Sequence, residues 1–168
     1  MDKRWIYIII IAIVGIGCLY LIAGTSNNIA SANINVNKFI ITVPQSFNIE
    51  KSGENSAILI NRDNWERISV TYLGKGTDMD DDIANKIDSL NEKGNITVMK
   101  TTTLNINNKT IPIIYYEKSP NNCANQVAFI NKFDYKFSIE CTDFEDNATM
   151  VNYIEFISDS LKKDFKHK

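Results

Sequence analysis

The apolar pattern begins with a run that has no polar face at all. From Trp5 to Ala23 the chain reads WIYIIIIAIVGIGCLYLIA, 19 residues without a charge. A helix of that length spans roughly 28 Å, close to the hydrocarbon core of a bilayer. Lys3 and Arg4 precede the run, and the next basic residue is Lys38. The positive-inside rule therefore places the N-terminus in the cytoplasm and the rest of the chain outside. Trp5, Tyr7 and Tyr20 lie near its two ends, where amphipathic rings suit the interface. The expected role of residues 5–23 is an uncleaved anchor in the lipid bilayer. The alternative is a signal peptide cleaved after Ala32, because Ala30-Ser31-Ala32 fits a small-x-small site. Both readings export the remainder of the chain.

Residues 24–37 are uncharged, small and polar, which suits a linker. The alternation Asn33-Ile34-Asn35-Val36-Asn37 equally suits the start of a strand. From residue 38 to residue 168 the pattern is that of one extracytoplasmic domain. Period-two and β-branched runs predict strands over Lys38–Val43, Phe47–Lys51, Ser56–Asn61 and Glu66–Leu73. Met79, Ile83, Ile87 and Leu90 then recur at helical spacing, with Thr77 as the expected N-cap, Asp80 at N3 and Gly94 as the expected C′ residue. Asn95–Ile106 and Thr110–Lys118 flank Asn107-Asn108, a hairpin-turn signal. Val127–Ile130 and Tyr135–Thr142 form the last strand pair. Ala148–Phe165 is the second expected helix, capped by Asp146 or Asn147. Its stripe is Met150, Ile154, Ile157, Leu161 and Phe165, and Lys162, Lys163 and Lys166 lie at its end, as the dipole favours. Strands joined by short turns and two one-sided helices make an α+β sandwich on an antiparallel sheet.

Composition narrows the function. The sequence pI is about 5.4, and without the cytoplasmic Asp2, Lys3 and Arg4 the chain carries 16 basic and 19 acidic residues. Nucleic acid and anionic lipid both call for a basic face, so neither is an expected ligand of the domain. The single histidine, His167, argues against a histidine metal site or a Ser-His-Asp triad. No nucleophile elbow, paired catalytic carboxylates or HExxH sequence is present, so no enzyme activity and no cofactor is expected.

Cys123 and Cys141 carry a disulfide expectation. A turn centred on Lys132 sets Phe129 opposite Tyr135, Val127 opposite Phe137, and Cys123 opposite Cys141. Directly opposed residues are close enough for the bond, and an exported compartment permits it. Closing that loop would stabilise the domain by roughly 3 kcal/mol. The other reading is two free, buried thiols.

Asp78, Asp80, Asp81 and Asp82 do not form an EF-hand loop, since Ile83 stands where Gly is needed and Ser89 where Glu is needed. They read as an acidic first helical turn. Gly74-Lys75-Gly76 lacks the spacing of a phosphate loop and reads as a strand-to-helix turn. Three sequons begin at Asn95, Asn108 and Asn147, and an exported chain would present them for glycosylation, Asn108 most openly at its hairpin turn. Trp65 lies in a predicted turn. If exposed it would mark a contact site; folded back, it would belong to the core.

The opening Phe39-Ile40-Ile41-Thr42-Val43-Pro44-Gln45-Ser46-Phe47 comes after an apolar anchor. A central helix, an antiparallel meander and a C-terminal helix come next. This layout resembles the PsbP-like family, prokaryotic relatives of the extrinsic lumenal protein of photosystem II, over about Lys38–Leu161. The resemblance implies an α/β/α sandwich with a central antiparallel sheet. It also implies a non-catalytic accessory or binding module. The family's ion-binding residues have no counterpart that can be placed in this chain. The expected function is thus a membrane-anchored accessory or binding domain with a protein partner at the membrane surface. The alternatives are a structural component of a cell-envelope assembly and a small-molecule carrier.

Overall fold

The computed structural model describes residues 32–120 and 123–164. The apolar run 5–23, Cys18, Ala30, Ser31, Phe165, Lys166 and His167 lie outside the described residues. Among the described residues no helix is long and apolar enough to cross a membrane.

Strands β1 (Asn33–Val36), β2 (Phe39–Thr42), β3 (Asn48–Ser52), β4 (Ser56–Ile60) and β5 (Arg67–Lys75) come first. Helix α1 (Asp80–Asn91) is next, then β6 (Ile96–Ile106), β7 (Lys109–Lys118), β8 (Ala124–Lys132) and β9 (Tyr135–Phe144). Helix α2 (Asn147–Ser160) and a two-residue strand, β10 (Lys162–Lys163), end the fold. Seven strands form one antiparallel sheet in the order β3-β4-β5-β9-β8-β7-β6, and β1-β2-β10 form a second, small sheet. The domain is therefore α+β, rich in antiparallel sheet.

The alternation Asn33–Val36 is a strand, with Ile34 and Val36 buried and Asn33 and Asn35 exposed. It pairs with β2 across Asn37-Lys38. The central seam of the large sheet is less obvious from the sequence. β5 does not neighbour β6. It pairs with β9, setting Ile68 against Cys141, Val70 against Ile139 and Tyr72 against Phe137. Helix α1 carries the chain from this central strand to the far edge.

The helices cover opposite faces. Beneath α1, Leu90 and Met79 pack on Ile114, Tyr116, Val127 and Phe129. On the other face Met150, Ile154, Ile157 and Leu161 join the inward side chains of β1, β2, β5 and β9. The stripe expected for α2 is thus buried as far as Leu161, but the helix is shorter than expected. Ser160 Oγ turns back to donate to Ile157 O at 2.9 Å and accepts from Thr42 N at 3.2 Å. Leu161 is extended (ψ 119°), and Lys162 and Lys163 pair with β2 instead of continuing the helix. The cation that meets the end of α2 comes from elsewhere. Lys132 Nζ donates to Ser158 O at 2.5 Å and Asp159 O at 3.0 Å. That burial lowers its pKa by desolvation.

Both helix starts can be compared with expectation. Asp146 caps α2, its carboxylate accepting from Thr149 N at 2.8 Å; the Thr149 hydroxyl at 2.7 Å, and then this backbone bond, hold its pKa low. Thr77 does not cap α1. That helix starts later, with Met79 at the N-cap and no side-chain cap bond. Asp78 Oδ1 instead accepts from Asp80 N at 3.0 Å. Gly94 is not left-handed; the left-handed glycines, Gly74 and Gly76, precede α1.

The disulfide register is also different. The turn of the last hairpin is Phe133-Asp134, with φ 58° and 63°, a two-residue left-handed turn. It pairs Lys132 with Tyr135 and places Gln126, not Cys123, opposite Cys141. Cys123 lies three residues before Gln126, just ahead of β8, roughly 10 Å away by strand rise, beyond a disulfide's reach. Both thiols are free. The reason is burial: Asn125 to Ile130 are all buried, so β8 is covered on both faces and its apolar alternation does not say which side faces which.

Candidate functional site

The loop between β4 and β5 holds the exposed side chain that is hardest to explain by folding alone. Asn61 begins it and organises it. Asn61 N donates to Glu66 O at 2.9 Å and Asn61 O accepts from Trp65 N at 2.8 Å. Its side-chain Oδ1 accepts from Asp63 N at 3.2 Å, and Asn64 Oδ1 accepts from Glu66 N at 3.3 Å. These are Asx-type turn bonds. They fix Trp65 at φ 64° with its side chain 66 % exposed.

A left-handed tryptophan is unusual. Among the described residues seven other than glycine have positive φ, and five of them are Asn or Asp, which tolerate that region. The two exceptions are Trp65 and Phe133. Phe133 has a packing reason, since its ring stacks on buried Phe39 with centroids 6.4 Å apart. Trp65 has no ring partner among the described residues. The chain therefore holds a large apolar side chain in a costly conformation and leaves it in solvent. The open alternative for Trp65, exposed or folded back, resolves to exposed.

The loop adjoins an edge of the large sheet. Asn48 of β3 pairs with Ile60, the residue before the loop, and every residue of β3 is exposed. Ile49 is 43 % exposed, and Glu50 pairs with Arg67 at 3.1 Å on the far side of the loop. The Asn48–Ile60 pairing and the Glu50–Arg67 ion pair join the edge strand to the two ends of the loop.

A second constellation lies between α1 and the sheet. Glu140 accepts from Tyr116 Oη at 2.8 Å and from Lys86 Nζ at 2.8 Å. Burial, and then the neighbouring Glu140 carboxylate, push the Tyr116 phenol far above its usual range. The phenol is therefore a fixed donor and not a base. A cleft of about 320 Å³ opens beside this cluster, lined by Arg67, Ser69, Lys93, Tyr116, Glu140 and Asp143 among others. A larger cleft of about 660 Å³ lies between the start of α1 and the β6–β7 turn. Its Lys132 is engaged by the α2 carbonyls, and its Asp159 accepts from Asn107 Nδ2 at 2.9 Å. Among the described residues no group of three or more His, Cys, Asp or Glu is placed to hold a metal ion.

The three sequon asparagines, Asn95, Asn108 and Asn147, are all exposed. Asn108 sits in the left-handed β6–β7 turn, as expected. In the Asn147 sequon the Thr149 hydroxyl is held by Asp146 Oδ2 at 2.7 Å. The cysteines expected to bond are separate: Cys123 is half-buried beside Ala124, and Cys141 is fully buried.

One buried polar group was not singled out by the sequence. Gln126 has no exposed area, and neither its Oε1 nor its Nε2 has a hydrogen-bond partner. It faces Cys141 and Tyr115 across the sheet. Two unpaired polar atoms are costly where an apolar isostere is not. Gln126→Met is expected to raise the unfolding free energy by about 1–3 kcal/mol. Urea denaturation checks this; a lower midpoint for the variant would show that Gln126 has a partner in solution.

No protein-family model matches the chain, and no curated protein matches it. The solution structure of cyanobacterial PsbP (CyanoP) from Synechocystis sp. PCC 6803 does match, with a TM-score of 0.53. The match covers 82 % of this chain and 95 % of that one, at 11 % identity. The chain has a PsbP-like fold. This agrees with the resemblance read from the Phe39–Phe47 opening and the order of elements. At such low identity the PsbP-like likeness fixes the architecture and transfers no site residue.

Proposed function

We propose that this PsbP-like domain is a non-catalytic binding module that docks a protein partner through the Trp65 loop and the exposed β3 edge. In this reading residues 5–23 hold it at the outer surface of a membrane. The observation that carries it is Trp65, 66 % exposed and locked left-handed by the Asn61 and Asn64 bonds. Tryptophan is the residue most enriched among interface anchors, and a rigid loop lowers the entropy cost of docking. A carrier would need an enclosed apolar chamber. The cleft of about 660 Å³ at the start of α1 sets Asp78, Asp80, Lys109, Lys132 and Asp159 beside Met79, Ile83 and Phe129, a mixed polar lining that does not favour an apolar cargo.

The test is site-specific photocrosslinking of the full-length chain in its native membranes. A photoreactive residue at position 65 should give a discrete protein adduct, and one at the exposed Glu92 should not. Trp65→Ala should weaken capture by about 30-fold or more, the loss of an anchor worth at least 2 kcal/mol. Equal adducts at both positions, or none at 65, would overturn the assignment.

A further inference from the structure

Helix α1 is seated on the sheet by a thin apolar seam. Leu90 is its one fully buried residue, whereas α2 buries Met150, Ile154 and Ile157. Met79 just before the helix and half-buried Ile83 and Ile87 complete the contact with Ile114, Val127 and Phe129. Its ends are held lightly, by Asp78 Oδ1 accepting from Asp80 N at 3.0 Å at the start and by the backbone bonds Glu92 N to Asp88 O at 3.0 Å and Lys93 N to Leu90 O at 3.1 Å at the finish. No side chain bonds at Met79, Glu92 at the C-cap is still right-handed, and the last turn has no basic residue.

Two ion pairs to β9 add to those fixtures. Lys136 Nζ meets Asp82 at 2.6 Å, and Lys86 Nζ meets Glu140 at 2.8 Å. The four side chains keep 17–23 % of their surface in solvent, so salt screens the pairs only in part. The sheet end of the N-terminal flank is pinned, because Gly74 pairs with Lys136 in the ladder, Gly76 N donates to Asp134 O at 2.9 Å and Gly76 O accepts from Asn131 Nδ2 at 2.6 Å. Turning therefore falls after Gly76 and, at the other end, at Gly94, where a Cβ would meet nothing within 4 Å. The opposite face of the sheet does not depend on α1, because α2 and the small sheet bury it in a separate, larger cluster.

We propose that α1 is a hinged lid, electrostatically latched to β9. Residues 77–94 lift from the sheet as one unit while the strands, α2 and the small sheet stay folded, Asn95 being held by Ser119 N at 2.9 Å. Lifting uncovers the apolar strip of Ile114, Val127 and Phe129. Elements with few buried apolar contacts are the ones that open locally, and here the latch is of a kind that ionic strength loosens.

Native-state hydrogen exchange on the full-length chain in detergent micelles tests this. Amides of residues 84–91 should exchange at least about tenfold faster than those of β8 and β9. Raising NaCl from about 0.05 M to 0.5 M should speed α1 a further two- to threefold, the partial screening of two partly buried pairs, and leave β8 and β9 unchanged. Lys136→Glu should reproduce the salt effect at low salt, and the exchanged pair D82K/K136E should reverse it. Equal protection of α1 and β8–β9 at both salts, or a swap that fails to restore α1, would overturn the lid. If the single variant does not fold, the salt series on the unaltered chain decides the matter.

Discussion

Phe39→Ala is expected to lower the unfolding free energy by about 3–5 kcal/mol, the range for emptying a fully buried aromatic site. Phe39 has no exposed area. With Ile34, Val36 and Ile41 it joins the small sheet to the core, and it is the aromatic member of that set. Its ring meets Phe137 edge-on at 4.9 Å and Tyr135 at 5.1 Å, and stacks with Tyr72 at 6.2 Å and Phe133 at 6.4 Å. Each such aromatic pair contributes beyond its buried area. Loss of the ring also removes the platform under Phe133, and with it the packing reason for that residue's left-handed backbone. Equilibrium denaturation measures the effect. Phe39→Leu, which keeps much of the volume, should recover more than half of it. A loss below about 1 kcal/mol for Phe39→Ala would mean that the small sheet is not integral to the fold.

Most of the architecture was legible because one-faced burial leaves a period. Ile68, Val70 and Tyr72 alternate on β5, and Met150, Ile154 and Ile157 recur on α2, and both patterns mark the buried side correctly. The Asn107-Asn108 turn was legible for a local reason, since two adjacent Asn tolerate two left-handed residues. Phe133-Asp134 was not. Nothing local asks for Phe in that position; the reason is Phe39, almost a hundred residues earlier in the chain. β8 is covered on both faces, so its pattern carried no register, and the cysteine pairing failed with it. The β5–β9 seam was hidden for a topological reason, because α1 separates strands that a meander would have made neighbours. Trp65 was visible as a candidate, but its exposure depended on how Asn61 and Asn64 tie the loop. The sequence pattern marks a turn there and not the direction of the ring.

Raising the pH above 9 is expected to destabilise the domain through two buried acids that the folded state keeps protonated. Burial pushes the Cys141 thiol far above its ordinary value of 9.0, with the Glu140 and Glu66 charges adding to the shift. Burial likewise raises Tyr116 above its ordinary 10.0, helped by the carboxylate it donates to. Both groups are neutral when protonated, so the folded chain holds their protons where the unfolded chain releases them. Stability is then fully present below pH 9 and falls as the unfolded state ionises, first at the thiol and then at the phenol. Each group costs about 1.4 kcal/mol per pH unit beyond its ordinary value. By pH 11 the two together remove roughly 4 kcal/mol, a large part of a small domain's stability. Denaturant midpoints between pH 8 and 11, with reductant present, should trace this two-stage decline. Cys141→Ala should abolish the stage between pH 9 and 10 and keep the later one, which belongs to Tyr116. A midpoint that stays flat to pH 10.5, or two curves that run parallel, would mean that water reaches these groups in the folded state, Cys141 in the β5–β9 seam and Tyr116 beneath α1.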